Sequence, residues 1–196
     1  MKDYIEEFKK YLEWEEKILW EGHPEANIFF TKWDIIYVPM GFFLILALLK
    51  TLTLEDILGI QIIILGPIIV LYLFVIFGRF FFKYVNKKRT VYYVTNKRIL
   101  VYNKSSERII REIHIHSIKN ITKDIHNNRM GTIEFGETPI MQMFGGNTGF
   151  DYFETLERFA EKLGKIFYGS GPMVPIFYDI KDAESVYRMV NELRRK

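Results

Sequence analysis

The sequence predicts a membrane α-helical hairpin followed by an α+β soluble domain. Three observations carry this. Two apolar runs, residues 35–49 and 57–77, are separated by a short charged link at 50–56. From Thr90 onward the apolar spacing changes from helical to alternating, which marks strands. The chain then closes on an amphipathic helical pattern that starts at Asp179 or Asp182.

Residues 1–33 come first. Met1-Lys2-Asp3 leads into a charged segment with no apolar core, so no signal peptide is expected. Tyr4, Ile5, Phe8, Tyr11 and Leu12 recur at helical spacing, with Glu6, Glu7, Lys9 and Lys10 on the other side. This amphipathic helix is expected either to pack on the soluble domain or to lie on the membrane surface, and packing is favoured because its polar face is not mainly basic. Gly22 and Pro24 break it, and His23 reads as a turn residue.

Region 34–83 is expected to hold two transmembrane helices, about 35–54 and 57–78. The second run carries no charged residue, and about 21 residues of helix at ~1.5 Å each span ~31 Å, the thickness of a bilayer core. The first reaches that length by running through Thr51–Leu54, with Lys50 snorkelling from one end. Trp33 and Tyr37 suit the interface, and Gly66-Pro67 predicts a kink. Gln61 is the only strongly polar side chain in the second run, which speaks against an ion pathway. Arg79, Lys83, Lys87, Lys88, Arg89, Lys97 and Arg98 follow with no acid among them. The positive-inside rule then places a multi-pass protein in the cell membrane with both termini cytoplasmic.

The soluble domain is expected at 87–196. Residues 90–94 and 98–102 are β-branched and aromatic around Thr95-Asn96-Lys97, a hairpin with Asn96 in the turn. Strands are further expected at 109–115, 118–125, 131–135, 139–144 and 174–178, seven in all. An inserted helix is expected at about 151–167, capped by Asp151. The last helix presents Ala183, Val186, Tyr187, Val190 and Leu193 on one face.

A Trp-Glu-Gly-His-Pro segment, two spans, the hairpin Thr-Val-Tyr-Tyr-Val-Thr-Asn-Lys-Arg-Ile-Leu-Val, the Ile113, Ile115, Ile118, Ile121 spacing and Gly131-Thr132-Ile133 occur in that order. Together they resemble the bacterial pleckstrin-homology-like membrane proteins. The resemblance runs from Trp20 to about Leu193, with Tyr93–Arg98 its most specific part. It implies a PH-like seven-stranded barrel of two nearly orthogonal sheets, capped by the C-terminal helix. It brings no catalytic site, and the insertion at 150–171 departs from its pattern.

The chain has no cysteine, which excludes a disulfide frame and a thiolate metal site. His114 and His116 alternate on a strand and, with His126 or Asp124, offer a possible metal set, but solvent-facing histidines are the ordinary reading. Gly145-Gly146-Asn147-Thr148-Gly149 lacks the lysine of a phosphate loop, and Ser105 and Ser106 lack a glycine-flanked elbow. No catalytic residue, metal or cofactor is expected. The candidate lipid- or partner-binding residues are Lys87, Lys88, Arg89, Lys97, Arg98, Lys104 and Arg108, on or beside the first hairpin. The expected partners are the lipid bilayer and an unknown protein or a second copy, with no nucleic acid. The function expected is a non-enzymatic, membrane-anchored module for protein–protein or self-association. Alternatives are an anionic-lipid-binding surface module or a small oligomeric transport component.

Overall fold

The computed structural model describes residues 8–26, 77–125, 130–138, 147 and 174–195, with isolated positions between 39 and 73. Its elements are β1 (Ile18–Gly22), α1 (Arg79–Arg89), β2 (Thr90–Thr95), β3 (Arg98–Asn103), β4 (Arg108–His114), a 3-10 turn (Ile115–Ser117), β5 (Ile121–Ile125), β6 (Gly131–Phe135), β7 (Ile176–Ile180) and α2 (Ala183–Arg195). They form two antiparallel sheets. The larger has the order β1-β2-β3-β4 and the smaller β5-β6-β7.

The membrane hairpin is corrected. The expected spans at 35–54 and 57–78 fall largely outside the described residues. Among the described residues, no helix is long and apolar enough to cross a membrane. The helix that leaves this region, α1, has 11 residues, or about 16 Å, roughly half a bilayer core. It also carries Lys83, Lys87, Lys88 and Arg89. The transmembrane assignment and the multi-pass cell-membrane placement fall with the hairpin. The expected strand at 139–144 and helix at 151–167 lie outside the described residues.

Three further boundaries move. The Ile18–Gly22 stretch is a strand, where the glycine and proline were expected only to break a helix. It pairs antiparallel with β2, Trp20 opposite Val94 and Gly22 opposite Tyr92. A side chain on Gly22 would collide with the Trp20 ring, which lies across that position. Lys87, Lys88 and Arg89 close α1 in its last turn, where basic residues meet the negative end of the helix dipole. The strand expected at 118–125 begins only at Ile121, as β5, and the 3-10 turn takes Ile115 from the end of the strand expected at 109–115.

Period-two alternation on β2 and β3 sends side chains to opposite faces of the larger sheet. Tyr92, Val94, Ile99 and Val101 face the smaller sheet and α2, where they meet Ile133, Phe135, Phe177, Ile180, Val186 and Val190. Phe177 is the centre of this core. Its ring stacks on Tyr92 at 4.5 Å, meets Phe135 edge-on at 4.8 Å and lies 5.7 Å from Trp20. The helix α2 packs on β5, β6 and the 3-10 turn. Val91, Tyr93, Leu100 and Tyr102 point the other way and are also fully buried.

Removing the Phe177 ring leaves a cavity bounded by three aromatic residues. Phe177→Ala is expected to cost about 3–5 kcal/mol of unfolding free energy, read by chemical denaturation of the full chain.

Candidate functional site: an aromatic clamp with an arginine latch

The outer face of the larger sheet holds the N-terminal segment. Phe8 is fully buried there. Its ring lies 3.9 Å from Tyr93 at an interplanar angle of 14°, and Tyr102 meets it edge-on at 5.2 Å and 71°. Tyr11 reaches Tyr102 at 6.0 Å, and its hydroxyl donates to the Glu107 carbonyl. Leu12, Ile18 and Ile109 close the cluster around Val91 and Leu100. The cross-strand register explains the clamp: Tyr93 sits opposite Leu100 and Val91 opposite Tyr102, so two tyrosines form a diagonal aromatic pair. Burial of Phe8 contributes about 1.5–3 kcal/mol, and its ring geometry about 0.5–1.5 kcal/mol more.

A buried ion pair fastens the same segment at the hairpin turn. The Arg98 guanidinium is folded inward. Nε donates to Glu16 Oε1 at 3.0 Å and Nη2 to Glu16 Oε2 at 3.0 Å. Nη1 donates to Glu112 Oε2 at 2.5 Å, and Nη2 also to the Tyr11 carbonyl at 2.6 Å. The planar fork of arginine suits this bidentate pairing, which lysine cannot make. Thr95 Oγ1 donates to Glu16 Oε1 at 2.7 Å and accepts from Arg98 N at 2.9 Å, tying the carboxylate to the turn. Asn96 completes the contact. Its Oδ1 accepts from Lys17 N at 2.7 Å and its Nδ2 donates to the Glu15 carbonyl at 3.2 Å.

Burial pushes the Glu16 carboxyl up. Hydrogen bonds from Arg98, the Glu13 backbone and Thr95 outweigh that and hold it below its ordinary value of 4.5. Burial likewise lowers Arg98, and Glu16, Glu112 and Glu13 raise it above its ordinary value.

A second buried pair lies at the other end of β2. Lys87 Nζ donates to Asp179 Oδ2 at 2.6 Å and to the Glu25 carbonyl at 3.2 Å. Asn147 Nδ2 donates to the same Asp179 oxygen at 2.8 Å. Glu25 N donates to the Asp179 carbonyl at 2.9 Å, so residues on both sides of the 27–76 segment meet on β7. His23 Nδ1 lies 3.4 Å from the Thr90 carbonyl, which makes it part of this junction.

The seven basic residues singled out in the sequence therefore do not share one surface. Lys87 and Arg98 are buried in ion pairs. Lys97 Nζ donates to the Trp14 carbonyl at 2.5 Å and lies 3.8 Å from Glu13. Lys88 is exposed and sits over the Tyr84 ring at 4.3 Å. Arg89 is exposed, and its carbonyl accepts from Lys104 N at 2.8 Å. Burial lowers Lys104, partly offset by Glu21. Arg108 opens β4 and is exposed. His114 and His116 are exposed, His126 lies outside the described residues, and no metal-ligand cluster occurs among the described residues. Glu16 and Asp179 are the acids that sequence reasoning missed. Each is recognised by a base about 80–90 residues away, which no local pattern signals.

Glu16→Gln leaves the Arg98 charge short of its buried partner and is expected to cost about 3 kcal/mol. The pH dependence follows from the lowered carboxyl. Its contribution is complete above the ordinary value and is lost as pH falls through the lower folded value. The stability difference between the unaltered chain and Glu16→Gln, measured by denaturation, is expected to be level near neutral pH. It should shrink below the ordinary carboxylate range.

Compared with known proteins, the chain matches no family model, no curated protein and no solved structure, so the site stands on its own geometry.

Proposed function

We propose that the chain is a non-enzymatic interaction module that works by protein–protein or self-association. The surface that serves this is the outer face of the larger sheet, which takes an amphipathic segment. One observation carries the reading: Phe8 is wholly buried between Tyr93 and Tyr102, by a segment that Arg98 holds across a separation of 82 residues to Glu16. This is the chemistry of segment recognition. An aromatic anchor enters an apolar cleft, and a charged group sets its register. The resemblance of Tyr93–Arg98 to the bacterial pleckstrin-homology-like family supports the same reading, because it brings no catalytic residues. A surface for anionic lipid has less support, since Lys87, Lys97 and Arg98 are engaged by groups of the chain itself.

The test is peptide capture. A fluorescent peptide of residues 1–17 is titrated into the full chain carrying Phe8→Ala and Leu12→Ala, and into the unaltered chain. The weakened chain is expected to bind saturably and at least about tenfold more tightly than the unaltered chain, where the resident segment competes. Adding Arg98→Met should weaken that binding. No saturable binding to the weakened chain overturns the reading.

A further inference from the structure

The contacts of the N-terminal segment carry a second consequence, which rests on the segment-capture reading. We infer that the segment is exchangeable between two copies of this chain. Residues 8–12 of one copy enter the clamp of the other, and Glu13-Trp14-Glu15 serves as the hinge.

Four observations support this. First, the clamp recognises the segment through distant groups. Phe8 meets Tyr93 and Tyr102, Tyr11 meets Glu107 and Arg98, and Lys10 pairs with Glu107 at 3.9 Å. Nothing in these contacts depends on the segment and the sheet belonging to one chain. Second, the hinge is bounded on its far side. Glu16 stays on Arg98 and Lys17 N stays on Asn96, so β1 keeps its place in the sheet while the residues before it change host.

Third, the closed hinge is strained. Glu15 has φ 58°, the left-handed region that a residue with a side chain enters at a cost. Straightening the hinge relieves it. Opening the turn gives up two bonds, Glu16 N to the Glu13 carbonyl at 3.0 Å and Glu13 N to Glu16 Oε2 at 2.7 Å, and water replaces the partners of the exposed Glu13. Fourth, Trp14 sits in the hinge with 85% of its surface exposed, the most of any large apolar side chain described. In a two-fold exchanged pair the two hinges run past each other, which brings the two Trp14 rings to the axis and covers them. Lys97, beside Glu13 and the Trp14 carbonyl, supplies positive charge where the hinge glutamates of the two copies meet.

The absence of native cysteine makes a clean test possible. Lys10→Cys is placed on one full-length chain and Glu107→Cys on a second chain with a different tag. The two are co-expressed and treated with a short bis-maleimide. A chain carrying both substitutions establishes that the pair is within reach. Exchange predicts a crosslinked product of twice the monomer mass containing both tags. Glu15→Gly, which removes the cost of the left-handed turn in the closed form, is expected to lower that product at least about fivefold. Crosslinking only within the doubly substituted chain, with none between tags, overturns the exchange. A mixed product that Glu15→Gly leaves unchanged also overturns it, since the contact then does not pass through the hinge. Peptide capture separates the two ideas. Saturable binding without inter-copy crosslinks sinks the exchange alone, and no peptide binding sinks the underlying reading as well.

Discussion

A β-hairpin with no polar face must be covered twice. Thr90–Thr95 and Arg98–Asn103 bury Tyr92, Val94, Ile99 and Val101 on one side and Val91, Tyr93, Leu100 and Tyr102 on the other. Most antiparallel sheets leave one face to water and alternate apolar with polar residues. This hairpin does not, and much of the described structure follows from that. The smaller sheet and α2 cover the inner face. The N-terminal segment covers the outer one, and β1 extends the sheet on the β2 side.

Buried charge marks both ends of the hairpin. Arg98 with Glu16 lies at the turn, and Lys87 with Asp179 lies just before the first strand. Buried ion pairs contribute little net stability, because desolvation cancels much of the attraction, but an unmatched partner is costly. Their effect is therefore on position. Glu16 can satisfy Arg98 only when the residues leading into β1 lie against the hairpin turn, and Asp179 can satisfy Lys87 only when α1 meets β7. The aromatic contacts of Phe8 supply attraction, and the arginine fork sets where along the sheet the segment stops.

The sequence made some of this legible. Alternating β-branched and aromatic residues on either side of Thr95-Asn96-Lys97 place the hairpin to within a residue, because strand periodicity and turn chemistry are both local. The helical spacing of Phe8, Tyr11 and Leu12 marks the residues that meet the sheet. What local pattern could not supply is the partner of each group. The Ile18–Gly22 strand pairs with residues about 70 positions on, and its glycine and following proline look like a helix stop. The bases at 87–98 look like one lipid- or partner-binding cluster beside the first hairpin, yet acids at 16 and 179 draw two of them inside. The two apolar runs matched the length of membrane spans, whereas the helix described at their end is short and charged.

The central claim is that Phe8 and Tyr93 form one energetic unit on the outer face. A double-mutant cycle of Phe8→Ala and Tyr93→Leu, read by equilibrium denaturation of the full chain, tests it most directly. The clamp predicts a coupling energy of about 1 kcal/mol, the size of a stacked aromatic pair beyond its buried area. A coupling indistinguishable from zero, with the two losses simply adding, would contradict it.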